Sequence, residues 1–318
     1  MSEPTKTSYS SYGKIAPALT TNDSHSSNGR MAPGVTTIGI IGCGNIGSAV
    51  LAGFLRASRG ASEKSPGASL RLVVTTKSET SAKRLRAEHV ADAHRVTVLV
   101  GENVRAMEEA DVIILALLPC DALGLMKTMG VYAAVACKPV ISLMFGVSFS
   151  TLEAWLGATL GDRKRGLYMF RAIPNMAARI CKSMTVIDEN FTHSGSRQDV
   201  TRLLEMIGKV KYLPTGQFQL GATLANASMA MAAVASKGIT DGCVDQGLRK
   251  GEALEMSAQV LKGMAGLFEE GTYPVELTES ITSQGYTTQS MWDLEKKGVR
   301  VAFAEAVVQA AKSLRNYY

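Results

Sequence analysis

In the stretch TTIGIIGCGNIGS, residues 36–48, a short β-branched apolar run passes directly into Gly42-Cys43-Gly44-Asn45-Ile46-Gly47 and then into a helix-forming run, residues 49–57. A strand, a GxGxxG turn and a helix in that order are the context a dinucleotide-binding turn requires. Gly42 permits the tight turn, Gly44 lets backbone N–H groups approach a pyrophosphate, and Gly47 lets helix and strand pack closely. The helix N-terminus, with Asn45 and Ile46 in its first turn, then faces the phosphates.

Outward from that turn, apolar strands are predicted at 70–75, 96–100, 112–117, 139–143, 166–172 and 183–188. Helices interleave at 81–91, 103–109, 121–132 and 150–156, and alternation of this kind means a parallel doubly wound sheet. From Gln217 onward no strand signal remains and Ala/Met-rich helical stretches run to Tyr318. The predicted fold class is α/β, a Rossmann-like sheet over residues 35–216 followed by an all-helical dimerisation and substrate domain over 217–318. Residues 1–34, rich in Ser, Thr and Asn, read as a disordered tail, and the Gly/Ser/Pro-rich stretch 58–69 reads as a surface loop.

The bulk numbers bound the function. The 318 residues suffice for about two domains, and a content of 46% hydrophobic and 19% charged residues excludes a disordered chain. Five cysteines, at 43, 120, 137, 181 and 243, are widely spaced with no C-x-x-C pair, so they read as buried thiols of a reducing compartment, with no metal site. The net charge of +6 is dispersed without basic runs or interleaved aromatics, which argues against nucleic acid. The longest strongly apolar run, 112–118, is far short of the roughly 20 residues that span a bilayer. The expectation is a soluble cytoplasmic protein with no membrane partner. The segment LGATLANASMAMAAVA, 220–235, is small and apolar nearly all round, as befits a helix buried on every side by a partner subunit.

A carboxylate at the end of the second strand would grip the 2′-hydroxyl of NAD, whereas a cation there accommodates the 2′-phosphate of NADP. This chain has Thr75-Thr76-Lys77-Ser78 at that place. Thr76, Lys77 and Ser78 offer donors and a positive charge, so NADPH is the expected cofactor, with NADH as the second choice.

The order of motifs resembles the pyrroline-5-carboxylate reductase family over residues 36–316. The residues that carry it are Gly42 to Gly47, Ala110-Asp111-Val112 leading to Pro119, Arg171-Ala-Ile-Pro174-Asn175, Thr240-Asp241-Gly242-Cys243-Val244 with Gly247-Leu248, and Ser283-Gln-Gly285-Tyr286-Thr287-Thr288 followed by Leu294-Glu295-Lys-Lys-Gly298. The resemblance implies NAD(P)H-dependent reduction of a cyclic imine carboxylate by a Rossmann domain whose helical domain interlocks with a twin. By carry-over, Asn103 would touch the adenosine part of the cofactor, Ala116, Leu117, Leu118 and Pro119 would line it, and Ser283 and Thr288 would hold substrate and carry catalysis. The residues read the same way physically. A loop of Ser283, Gly285, Tyr286, Thr287 and Thr288 opening a helix supplies hydroxyls and free N–H groups for a carboxylate.

Departures from the family pattern bear on the substrate. The family's Ser-Gly-Ser-Gly-Pro-Ala-Tyr is Ala225-Asn226-Ala227-Ser228-Met229-Ala230-Met231 here, its Val-Lys-Pro is Leu117-Leu118-Pro119, and its Ser-Pro-Gly-Gly is Ser283-Gln284-Gly285-Tyr286. Lys237 stands where the family usually has Glu. Tyr286 means either a reshaped anion loop or a different substrate, and Met229 and Met231 would make a pocket wall more apolar, so the expected substrate is pyrroline-5-carboxylate or a larger, more apolar imine of a specialised biosynthetic route. Two other readings stay open at this point. A β-hydroxyacid-type dehydrogenase would want a lysine one turn before Asn226, where Ala222 stands. A cofactor-binding paralogue without redox activity would fit the replaced helix signature and Leu118.

Overall fold

The computed structural model describes residues 36–59, 70–157, 166–192, 194–282 and 286–315. The N-terminal segment 1–34, most of the expected surface loop, Ser283 and Gly285 lie outside the described residues.

Within them the chain runs β1 (Thr36–Ile41), α1 (Asn45–Arg59), β2 (Leu70–Thr76), α2 (Glu79–Glu88), β3 (Val96–Val100), α3 (Asn103–Glu109), β4 (Val112–Leu115), α4 (Pro119–Met126), α5 (Val131–Val135), β5 (Pro139–Ser142), α6 (Phe149–Gly157), β6 (Tyr168–Ile173), β7 (Ser183–Asp188), α7 (Arg197–Glu205) and β8 (Gly208–Leu213). The strands form one sheet in the order β3-β2-β1-β4-β5-β6-β7-β8. Order reverses on either side of β1, which creates a switch-point crevice at the carboxyl ends of β1 and β4.

The central strands are apolar on both faces because helices cover both. Ile38, Ile40, Leu72, Val74 and Ile114 pack with α1 and α7 residues such as Phe54 and Leu203. Ile41, Val73, Ile113 and Leu115 pack with α3 to α6 residues such as Met107 and Leu152. Such two-sided burial is why these strands read as continuous apolar runs.

Three features differ from the sequence expectation. β6 and β7 pair antiparallel, because residues 174–182 between them hold only a 3₁₀ turn, Met176–Ile180, too short for a parallel crossover. The sheet also gains β8, parallel to β7. Its sequence GKVKYL exposes Lys209 and Lys211 on alternate positions, an edge-strand pattern whose charges mask the apolar signal. The single helix expected at 121–132 is two, α4 and α5, separated at Gly130 with φ of +92°.

The helical part comprises α8 (Thr215–Asp245), α9 (Lys250–Glu269), α10 (Pro274–Thr282), α11 (Tyr286–Lys296) and α12 (Val299–Arg315). A domain boundary at 216/217 would fall in the first turn of α8. α8 is rich in Ala, holds no proline, and runs unbroken for 31 residues, about 46 Å. Phe218 and Ala222 seat its first turns against Ile173 and Val186.

Beyond those turns α8 is largely uncovered within one chain: Leu224 is 59% and Val234 71% exposed. By length and composition α8 could also cross a membrane, although Ser, Thr and Asn interrupt its apolar run. Its second half carries Lys237, Asp241 and Asp245, and α9 and α12 pack on it.

Candidate active site

A cleft of about 730 Å³ opens at the carboxyl ends of β1, β2 and β4. Its floor is the glycine turn. Gly42 has φ of +88°, and a Cβ there would lie 2.5 Å from Leu117 Cδ2. The Gly42 N–H donates to Thr75 Oγ1 at 3.0 Å and the Cys43 N–H to Thr75 O at 2.7 Å, which pins the turn to the end of β2. At Gly47 a Cβ would meet Gly42 O at 2.6 Å, so α1 starts hard against the turn. Gly44 is different: its Cβ would meet nothing within 4 Å, because it projects into open space on the cleft wall.

No packing among the described residues demands glycine at position 44, and the room beside it is a cradle for a ligand's backbone-facing atoms. The α1 ladder begins with Ser48 N–H donating to Gly44 O at 2.9 Å. The N–H groups of Asn45, Ile46 and Gly47 therefore precede the ladder and carry the positive end of the helix dipole. The residues present fit a dinucleotide pyrophosphate.

Of the other expected cofactor residues, Thr76, Lys77, Asn103, Ala116, Leu117 and Leu118 line the cleft. Thr76 is buried and donates through Oγ1 to Ser78 O at 3.1 Å. Lys77 Nζ donates to Asp121 Oδ1 at 3.1 Å. Ser78 does not line the cleft. Its Oγ accepts from Ser81 N–H as the N-cap of α2, a role that competes with ligand contact. Pro119 sits at the start of α4 behind Leu118, and Ile46 packs against the core. Of the five cysteines expected to be buried only Cys43, in the turn itself, is so, whereas Cys120, Cys137 and Cys243 are exposed and Cys181 half-buried; desolvation pushes the Cys43 thiol up to about 11, with Ser48 partly offsetting.

In the helical part, Tyr286 and Thr287 open α11. Thr288 is half-buried and donates through Oγ1 to Thr282 O at 2.6 Å, joining α10 to α11. It does not line the cleft of its own chain. Asn226 Nδ2 donates to Ala222 O one turn earlier at 3.1 Å, and Lys237 pairs with Asp241. The Lys/Asn arrangement of a β-hydroxyacid dehydrogenase is therefore not assembled on α8.

Arg171 and Asn175, which the sequence marks only as part of a family motif, form two junctions with α8. Arg171 on β6 donates through Nη1 to Asp188 Oδ2 on β7 at 2.7 Å, and Asp188 Oδ1 accepts from Thr215 Oγ1 at the start of α8 at 2.7 Å. The Arg171 guanidinium lies 4.4 Å from the Phe218 ring centroid. Burial lowers its pKa, against the opposing pull of Asp188, and an arginine stays charged all the same. Asn175 Nδ2 donates to Ala225 O on α8 at 2.9 Å. An arginine inside the apolar run YMFRAI was the available signal for the first of these, since a buried charge demands a partner.

Sheet order, glycine turn and open cradle define a Rossmann-type oxidoreductase with an added helical unit. Comparison with known proteins agrees. The family described as "Pyrroline-5-carboxylate reductase dimerisation" matches residues 216–317, and that described as "NADP oxidoreductase coenzyme F420-dependent" matches 37–146. The chain is 32% identical to a pyrroline-5-carboxylate reductase of Neurospora crassa, over 86% of this chain and 90% of the relative. It is 30% identical to one of Lophium arboricola, over 86% of this chain and 91% of the relative. Among solved structures, the Plasmodium falciparum pyrroline carboxylate reductase with NADP bound superposes with a TM-score of 0.71 at 16% identity, covering 88% of this chain and 97% of that one.

The chain belongs to the pyrroline-5-carboxylate reductase family, oxidoreductases that act on C=N bonds.

Proposed function

We propose that this protein uses NADPH to reduce the C=N carbon of a cyclic imine carboxylate, either pyrroline-5-carboxylate or a larger, more apolar relative. The observation that carries the reading is the cleft itself: an open cradle at Gly44, a helix N-terminus above it, and Thr76 and Lys77 in place of a carboxylate at the end of β2. When bound, the dihydronicotinamide supplies the hydride.

The residues of this chain orient and hold. No histidine lines the cleft among the described residues, and a protonated imine needs no strong acid at the carbon that accepts hydride. The Thr288 hydroxyl commits its proton to Thr282 O, which leaves its oxygen as an acceptor suited to an iminium N–H. We assign Ser283 and Gly285, together with Tyr286 and Thr287 at the start of α11, to the substrate carboxylate. Because Thr288 is not on the cleft of its own chain, we assign the completed site to a homodimer in which the helical domain of one subunit reaches the cleft of its partner. Asn226 and Ala222 leave the β-hydroxyacid reading without its residues.

Met229 and Met231, within the two turns after the Asn175–Ala225 bond, favour the more apolar substrate and a specialised biosynthetic role. NADPH consumption by the purified protein across pyrroline-5-carboxylate and a panel of substituted cyclic imines tests this. Turnover with at least one supports it, and NADPH binding with no turnover of any would contradict it.

A further inference from the structure

Lys77 follows β2, and Asp121 sits in the first turn of α4, which follows β4. In the sheet β2 and β4 flank β1 on opposite sides, about 10 Å apart at ordinary strand spacing. Their side chains nevertheless meet, Lys77 Nζ to Asp121 Oδ1 at 3.1 Å. The pair is a strap across the carboxyl end of β1, directly over the glycine turn, and both residues line the cleft. Arg105 is the other cation on the cleft wall among the described residues. It is held by Glu102 at 2.9 Å and Glu109 at 3.0 Å, both close to it in sequence. Lys77 alone is tied across the opening.

We infer that Asp121 is a specificity-determining residue: an internal counter-ion that occupies Lys77 until a dinucleotide bearing a 2′-phosphate displaces it. The inference rests on the NADPH reading of the cleft. A phosphate monoester carries about −1.5 to −2 charge near neutral pH and offers Lys77 more than a single carboxylate does. The displaced Asp121 side chain, already 42% exposed, then turns to water without being left buried and unpaired. NADH presents only a hydroxyl at that position and has no charge with which to take Lys77 from Asp121. Asp121 therefore competes with the phosphate for the one ammonium that reads it, and holds NADPH affinity below what Lys77 alone would give.

The test is a double-mutant cycle on dinucleotide binding, with Kd for NADPH and NADH measured by fluorescence at low and high salt. Asp121→Asn is expected to tighten NADPH about three- to fivefold, the scale of an exposed ion pair, and to change NADH by less than about twofold. Its effect on NADPH is expected to vanish in a Lys77→Met background and to shrink at high salt. Unchanged or weaker NADPH binding by Asp121→Asn overturns the counter-ion role. A gain that persists with Lys77→Met overturns it too, since the carboxylate would then act by simple repulsion. Wild-type protein that binds neither dinucleotide would overturn the NADPH reading and the counter-ion role together, an outcome distinct from the other two.

Discussion

Arg171 on β6 and Asp188 on β7 form a buried ion pair at 2.7 Å, with the arginine side chain 5% exposed and the aspartate fully buried. Thr215 bonds the same carboxylate, so the pair couples the antiparallel end of the sheet to the first turn of α8. Removing one partner leaves the other charge buried and alone, which costs about 3–5 kcal/mol. Arg171→Met is expected to lower unfolding free energy by that amount in urea titrations, and Arg171→Met with Asp188→Leu to recover part of it.

Glycines 44 and 47 separate binding from folding. Gly44→Ala places its methyl in open cleft space, so it should leave Tm within a few degrees of wild type and weaken NADPH at least about tenfold through contact with the pyrophosphate. Gly47→Ala drives a methyl into Gly42 O, 2.6 Å away, and should destabilise by about 1–3 kcal/mol. Calorimetry beside NADPH titration checks both, and equal Tm losses would contradict the distinction.

Cys43 makes folding sensitive to alkali. Its thiol is held protonated up to about 11, against an ordinary 9.0, chiefly by desolvation. Above pH 9 the unfolded chain ionises this thiol while the folded chain keeps its proton, so stability falls as pH rises towards 11. Two pH units correspond to about 2.7 kcal/mol. Denaturation midpoints from pH 8 to 11 should show a decline that Cys43→Ala reduces. At pH 8 a thiol reagent should modify exposed Cys120 well before buried Cys43.

Asp92 has the opposite sign. Burial raises its carboxyl, but hydrogen bonds and charge from Arg59 and Arg95 outweigh that and leave it below the ordinary value. The associated stability is present above the unfolded-state pKa and lost as pH falls through the folded-state one. Asp92→Asn should lower Tm at pH 7, with the difference from wild type narrowing under acid conditions.

Much of this was legible in the chain because the cofactor half is written in local chemistry. Gly42, Gly44 and Gly47 work within one turn, and Thr76 ends β2 with Lys77 directly after it. What escaped depends on distant partners. Asp121 gains meaning only from its contact with Lys77, 44 positions away, and Asp188 from Arg171 and Thr215. β8 hid because an edge strand carries lysines where a central one carries valines. The segment 220–235 of α8 reads in sequence as buried on every side, whereas within one chain Leu220 and Val234 are 55% and 71% exposed. That exposed apolar surface lies within residues 216–317, which match the dimerisation family.

Hydride transfer to the imine carbon is tested most directly with NADPH carrying deuterium at the transferring position of its nicotinamide. The purified protein would be incubated with this cofactor and pyrroline-5-carboxylate, or the best imine of the panel, and the product weighed by mass spectrometry. Our account predicts a saturated cyclic amine one deuterium heavier than that made with unlabelled cofactor, formed in step with NADPH loss. No amine product, or an amine without the label when the transferring deuterium has left the cofactor, would contradict it.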